Sequence, residues 1–141
     1  MIEIQPTFEI RPATPSDAAA WLKMRCDLWP DGAEEHAAEI ADFFAGTLIE
    51  PLAVFVALSS DNHYGGLLEL SIREDVPTLE GKRTGYIEGL YVIPEMRSRG
   101  VAFALMERAR RWARGLGCTA FASDRADRFV IDRRFAARRG A

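Results

Sequence analysis

The chain has 141 residues, 48% of them hydrophobic, and a formal net charge of −3, which is typical of one globular domain, here residues 1–141. It has no run of about 18 apolar residues and no signal-peptide pattern at its start, so we expect a cytoplasmic protein without membrane association. Its two cysteines lie far apart and no segment interleaves basic with aromatic residues, which argues against a disulfide framework, a metal site and a nucleic-acid partner.

The first part of the chain predicts one short strand and two helices. Residues 8–11 alternate between apolar and charged side chains, as a strand does. Thr14 suits the N-cap of a following helix, with Pro15 at its first position and Asp17 in its first turn. Apolar spacing then predicts a second helix over residues 34–48.

The middle of the chain predicts three strands, over residues 53–58, 66–72 and 86–92. A helix with the most regular apolar spacing in the chain follows and ends near Gly115, and residues 118–122 predict another strand. The order β-α-α-β-β-β-α-β predicts an α+β domain, with a mixed, largely antiparallel sheet flanked by helices.

Charge is distributed unevenly along the sequence. Residues 1–96 carry 17 Asp and Glu against 6 Lys and Arg, and residues 97–141 carry 4 against 12, so that balances of −11 and +8 sum to −3. This pattern indicates an anionic ligand near the second segment and a cationic ligand near the first, or simply solvated helix faces.

Residues 97–102, with the sequence Arg97-Ser98-Arg99-Gly100-Val101-Ala102, join a predicted strand to the regular helix. We call this segment the anion turn. Free N–H groups at a helix N-terminus bind phosphate, glycine lets a ligand approach the backbone, and arginines add charged donors. The pattern alone leaves open whether the turn binds an anion or only eases packing.

The anion turn resembles the Arg/Gln-x-x-Gly-x-Gly/Ala motif of the GNAT acetyltransferases. The resemblance implies the GNAT fold, acetyl-CoA as cosubstrate, and a strand that separates from its neighbour near a bulge. It also implies that the Val92 N–H polarises the thioester carbonyl. The residues expected to bind acetyl-CoA are Leu90, Tyr91, Val92, Arg97, Ser98, Arg99, Gly100, Val101 and Ala102.

Four blocks resemble the aminoglycoside 6'-N-acetyltransferases within that family. They are Leu28-Trp29-Pro30, Ser71-Ile72-Arg73-x-Asp75, Ile87-Glu88-Gly89-Leu90-Tyr91-Val92 and Ala122-Ser123-Asp124. This resemblance implies a homodimer that transfers acetyl from acetyl-CoA directly to an amine of a cationic aminoglycoside. The residues expected to bind the aminoglycoside are Trp29, Asp75, Glu88 and Asp124.

The reaction requires a base, because an ammonium group has no lone pair with which to attack a thioester. Glu88 and Asp124 are the candidate catalytic carboxylates, able to hold the cationic amine and to draw off its proton. The sequence leaves open which of them is the base. It also leaves open that Glu88 is a solvated strand residue and Asp124 a strand-end cap.

The tail departs from the family pattern, which continues to a closing strand pair and often to a tyrosine that reprotonates the leaving thiolate. Residues 125–141 contain six arginines and no tyrosine. We therefore expect the last strands to be missing, and Phe135 with its apolar neighbours to form a short docking helix. Two alternatives stay open: a GNAT enzyme for another amine, such as a polyamine or a peptide N-terminus, and an acyl-CoA-binding protein without activity.

Overall fold

The computed structural model of the protein describes residues 8–48, 50–125 and 128–137. Its strands are β1 (Phe8–Pro12), β2 (Ala53–Ser59), β3 (Tyr64–Arg73), β4 (Thr84–Val92), β5 (Ala120–Arg125) and β6 (Arg128–Ile131). Its helices are α1 (Ala18–Leu28), α2 (Ala33–Ala45), α3 (Val101–Gly115) and α4 (Arg133–Ala137). Within the described ranges, no helix is both long enough and apolar enough to cross a membrane.

The strands form a single sheet in which their order in space follows their order in sequence, from β1 to β6. Every neighbouring pair is antiparallel except β4 and β5, which are parallel. A parallel pair needs a crossover connection, and α3 supplies it. The predicted α+β fold with a mixed, largely antiparallel sheet is confirmed.

The two faces of the sheet are covered by different helices. Val54 and Val56 of β2 belong to a buried cluster with Trp21 of α1, whereas Phe55 of the same strand packs in a second cluster with Leu105 of α3. Because successive side chains of a strand point to opposite faces, a strand buried on both faces shows a continuous apolar run. This explains why β2 was recognisable from its sequence.

A gap opens in the sheet between β4 and β5. The two strands pair only as far as Ile87 and Ser123. The pairing of β4 with β3 shifts register at Glu88, next to the pair formed by Glu69 and Gly89. Such a β-bulge bends a strand and redirects a side chain. In the described part of the chain, β4 therefore has no strand partner on its β5 side beyond the bulge, as the family resemblance implied.

Several element boundaries differ from the sequence prediction by one to three residues, and for two of them the cause is visible in the structure. α2 ends at Ala45, three residues early, because Gly46 adopts φ = 78° and caps the helix in the left-handed conformation. β5 begins at Ala120, not at Cys118, because the Cys118 N–H donates to the Ala113 carbonyl at 3.0 Å and so belongs to the C-terminal cap of α3.

The expectation that no closing strand follows β5 is wrong. β6 pairs antiparallel with β5, including the pair Ala122 and Ile131. The predicted docking helix is present as α4, where Phe135 is fully buried and stacks on Phe121 with ring centroids 5.4 Å apart. Apolar residues that we expected to join this helix, Val130 and Ile131, lie in β6 instead, because a strand partner was available to them across the sheet.

Candidate active site

A cavity of about 680 Å³ lies where β4 and β5 separate, and we call it the acceptor cavity. Its lining residues come from the end of α1, β4, α3 and β5: Leu28, Trp29, Ile87, Glu88, Gly89, Leu90, Ala102, Met106, Ser123 and Asp124. Three of the predicted substrate residues, Trp29, Glu88 and Asp124, therefore share one cavity. They lie far apart in sequence, and the gap in the sheet brings them together.

Trp29 forms a wall of the acceptor cavity, and several contacts hold it there. The ring lies on the backbone of Gly89. The Arg25 guanidinium lies over the same ring, 5.6 Å from its centroid. The Trp29 carbonyl is 3.0 Å from His36 Nε2. Because backbone and ring are both fixed, Trp29 presents a rigid apolar surface to a bound ligand.

Glu88 reaches the acceptor cavity from the bulge in β4 and is held by Arg73 of β3. The Arg73 Nε donates to Glu88 Oε2 at 2.9 Å and a terminal Arg73 nitrogen donates to Oε1 at 2.9 Å, which makes a bidentate ion pair. Burial raises the pKa of Glu88 above its ordinary value, and the Arg73 charge opposes that rise. Glu88 is thus a paired carboxylate in a half-buried position.

Asp124 lies at the end of β5 and is exposed to the acceptor cavity. The Tyr86 hydroxyl donates a short hydrogen bond to its Oδ1. Burial and this bond raise the pKa of Tyr86, so the phenol stays protonated and keeps donating. Asp124 differs from Glu88 because the Tyr86 hydroxyl that contacts it is neutral, and so its negative charge is not cancelled by that contact.

The anion turn lies next to the acceptor cavity and carries a cavity of its own, of about 300 Å³. Ser98 and Gly100 have φ values of 65° and 86°, and no side chain caps the start of α3. A Cβ built on Gly100 has no atom within 4 Å, so the backbone is open to a ligand. These features, with exposed Arg97 and Arg99, fit the pyrophosphate of acetyl-CoA.

Ala102 lines both cavities, so they form one path along the N-terminal end of α3. The edge of β4 borders the same path. The Ile93 N–H donates to the Gly65 carbonyl at 3.0 Å, which makes Gly66 and Val92 a non-hydrogen-bonded pair. The Val92 N–H therefore faces away from β3, toward the gap. Its carbonyl accepts a hydrogen bond from Arg97 Nε at 2.9 Å, which ties the anion turn to β4.

The other predicted cosubstrate residues are placed as follows. Leu90 lines the acceptor cavity. The side chains of Tyr91 and Val101 are buried in the two opposite core clusters, so neither side chain is available to a ligand. Asp75 is exposed in the loop between β3 and β4 and does not line the acceptor cavity.

Sequence reasoning gave no role to Arg73 or Tyr86, although both support the cavity carboxylates. One signal was present for Arg73: it is the sole Lys or Arg between Arg25 and Lys82, in the acidic part of the chain. The structure shows that this cation balances an acidic side chain of the site. No comparable signal marked Tyr86, because a tyrosine in a strand is an ordinary core residue.

Comparison with known proteins agrees with this geometry. Residues 18–141 match the model of the acetyltransferase (GNAT) family. The chain is 47% identical over 116 residues to the aminoglycoside N(6')-acetyltransferase type 1 of Klebsiella aerogenes, a match that covers 82% of this chain and 76% of the relative. It is 40% identical to the protein of the same name from Stenotrophomonas maltophilia, over 88% of this chain and 78% of the relative.

Two solved structures are similar in fold. The aminoglycoside N-acetyltransferase AAC(6')-Iy in complex with CoA superposes with a TM-score of 0.77 at 29% identity, over 89% of this chain and 82% of that one. AAC(6')-Iy in complex with the bisubstrate analogue CoA-S-monomethyl-acetylneamine has a TM-score of 0.75 at 30% identity, over 85% of this chain and 80% of that one.

Proposed function

Because the chain belongs to the GNAT acetyltransferase family, it is an acetyl-CoA-dependent N-acetyltransferase, and we propose that its acceptor is the 6'-amine of an aminoglycoside. The observation that carries the proposal is the acceptor cavity, where Trp29, Glu88 and Asp124 meet beside the anion turn. Support comes from relatives named aminoglycoside N(6')-acetyltransferase and from the similar fold solved with a CoA-linked analogue.

In the proposed arrangement, the anion turn binds the pyrophosphate of acetyl-CoA through the free N–H groups at the start of α3 and through Arg97, Ser98 and Arg99. Leu90, Tyr91 and Val92 border the pantetheine arm, mainly through the free edge of β4. The thioester carbonyl then lies near the Val92 N–H, which stabilises negative charge on its oxygen. Gly100 and Ala102 allow close approach because they lack bulky side chains.

The aminoglycoside is proposed to enter the acceptor cavity against the Trp29 wall, with its ammonium groups near Asp124 and Glu88. One carboxylate takes a proton from the ammonium, directly or through a water. The amine lone pair then forms the new C–N bond and the C–S bond breaks. The nitrogen releases its second proton to solvent or a nearby group, and the thiolate takes up a proton to leave as the thiol. The acidic side chains within residues 1–96, including Asp75, attract the polycation toward the acceptor cavity.

We further propose that residues 1–141 act as one domain, that the chain forms a homodimer, and that it works in the cytoplasm. The homodimer rests on the family resemblance, since members are often dimeric. The cytoplasmic location is supported by the cosubstrate, because acetyl-CoA is highly charged and does not cross membranes unaided. Light scattering of the purified chain tests the dimer, and a mass equal to one chain would reject it.

The test of the proposed function measures thiol release from acetyl-CoA against a panel of amines. We expect turnover with kanamycin and tobramycin, and none with spermidine, with a peptide N-terminus, or with an aminoglycoside that carries a hydroxyl at the 6' position. Turnover of the 6'-hydroxyl compound at the same rate would show acetylation elsewhere. Normal binding of acetyl-CoA with no turnover of any amine would favour the binding protein without activity.

The same assay tests the site. Asp124→Asn keeps shape and removes charge, and it should lower kcat/KM by roughly ten- to hundred-fold, the value of one hydrogen bond to a charged group. A base shows this loss in kcat with recovery at raised pH, whereas a binding residue mainly raises KM. Asp61→Asn, in the exposed turn between β2 and β3, is the matched control and should behave as the parent.

A further inference from the structure

The two carboxylates of the acceptor cavity have different electrostatic surroundings. Glu88 faces the Arg73 guanidinium through two hydrogen bonds of 2.9 Å. Asp124 accepts from the neutral Tyr86 hydroxyl and is exposed to the cavity. Two carboxylates that look equivalent in the sequence thus present different net charges to an incoming cation.

Arg73 is held firmly from several directions. Its guanidinium lies 4.4 Å from the centroid of the Tyr86 ring, on which it stacks. The Glu50 carboxylate lies 3.6 Å from a terminal nitrogen of Arg73. Arg73 is not among the residues that line the acceptor cavity in the described part of the chain. It therefore sits behind Glu88 and acts on the cavity through that side chain.

We propose that Arg73 is a positioning residue which keeps Glu88 as a neutral ion pair, so that Asp124 is the carboxylate that meets the substrate's ammonium group. This inference rests on the proposed function and assigns a different role to each of its two acidic residues. Glu88 shapes the cavity and cancels the charge of Arg73. Asp124 supplies the attraction for the cation and the acceptor for its proton.

A Glu88 side chain that only neutralises Arg73 and a Glu88 side chain that binds the substrate directly respond differently to substitution. Glu88→Gln leaves the Arg73 cation with Glu50 as its remaining ion-pair partner, so its charge beside the cavity is less well compensated and repels a cationic substrate. Removing both charges in the double variant Arg73→Gln/Glu88→Gln abolishes that repulsion. If Glu88 instead binds the substrate directly, the double variant is as poor as the single one, because the contact is absent from both.

The decisive measurement is the KM for tobramycin in the parent, the two single variants and the double variant, with thermal midpoints and acetyl-CoA affinity measured to verify folding. We expect Glu88→Gln to raise KM roughly ten-fold and the double variant to recover most of that loss. The KM of Arg73→Lys should lie between those of the parent and Arg73→Gln, since lysine keeps the charge but not the bidentate geometry. Glu50→Gln is the control, close to Arg73 but outside the cavity, and should leave KM nearly unchanged.

A second readout is independent of turnover. Carbon NMR of the Glu88 carboxyl group, compared between the parent and Arg73→Gln, should give a higher midpoint in the variant, since burial, Glu50 and Asp124 then act on Glu88 without the opposing Arg73 charge. Equal midpoints, or a double variant no better than Glu88→Gln, would overturn the proposal. If the parent acetylates no aminoglycoside, the proposed function fails and the role given to Asp124 fails with it. The NMR titration still decides whether Arg73 sets the charge of Glu88.

Discussion

The indole of Trp29 lies so close to Gly89 that a Cβ added to the glycine would be 2.7 Å from Trp29 Cη2. Gly89 has an ordinary strand conformation, so the contact itself, and not the backbone angle, excludes a side chain here. The bulge at Glu88 and the absence of a Cβ at the next residue together allow the tryptophan to form the cavity wall.

The contact between Trp29 and Gly89 predicts that Gly89→Ala displaces the tryptophan. Overpacking of this kind destabilises a protein by about 1–3 kcal/mol, and the moved ring should also raise KM for the aminoglycoside. Gly115→Ala is the matched control, because a Cβ there meets no atom within 4 Å. Urea unfolding and steady-state kinetics of both variants provide the test, and an unchanged KM in folded Gly89→Ala would reject a substrate role for the wall.

Gly100 should be required for acetyl-CoA binding, because its backbone is open in the anion turn. Gly100→Val introduces a side chain at φ = 86° in the open part of the anion turn, so it should both strain the backbone and block the ligand. Gly117→Val introduces the same strain at φ = 79°, at the other end of α3. Calorimetry should show weaker acetyl-CoA binding in Gly100→Val alone. Equal losses in the two variants would mean that strain, and not the anion site, explains the effect.

The surroundings of Asp17 should make the free energy of unfolding depend on pH. This fully buried carboxylate forms an ion pair with Arg11 at 2.7 Å and accepts hydrogen bonds from the Tyr64 hydroxyl and the Thr14 N–H. The Arg11 contact lowers the pKa of Asp17 well below its ordinary value, although burial opposes that shift. A lowered pKa in the folded state stabilises the protein above the unfolded-state pKa of about 3.9, and this stabilisation is lost as pH falls further.

Asp17→Asn should therefore cost about 2–3 kcal/mol near pH 7, because it leaves Arg11 and a buried site without a counter-charge. The difference between variant and parent should shrink as pH falls below about 4, where the unfolded parent chain begins to bind a proton at Asp17 that the folded state does not bind. Denaturant unfolding at a series of pH values measures this. A difference that stays constant from pH 7 to pH 3 would contradict the assigned protonation state.

The burial of Phe135 implies that the tail contributes to the stability of the fold. It is fully buried by α4 against Phe121, so Phe135→Ala should cost about 3–5 kcal/mol, and less if the short helix detaches without disturbing the rest. Phe103→Ala is the control, because Phe103 is 70% exposed and its loss should change the free energy of unfolding little. Equal unfolding midpoints for the two variants would show that α4 does not hold Phe135 in the core.

The sequence alone was sufficient for features that depend on residues close together in the chain. Apolar periodicity identified α1, α2 and α3 and the buried strands, because a helix and a strand repeat their environment at different intervals. The anion turn was recognisable for the same reason, since its glycine, its arginines and the helix it starts are contiguous. The resemblance built on these local blocks led to the family.

Tertiary structure decided how the site residues are paired. Arg73 and Glu88 are 15 positions apart, and Tyr86 and Asp124 are 38 apart. Their pairing depends on the register of β3 with β4 and on where β4 separates from β5, which periodicity does not encode. The tail shows the same limit: Arg128–Ile131 contains an apolar run too short for its sequence to distinguish a strand from a helix, and β5 makes it a strand by offering an unpaired edge. Contacts between distant residues form only when the whole sheet is assembled, so the charge of each cavity carboxylate is a property of the fold.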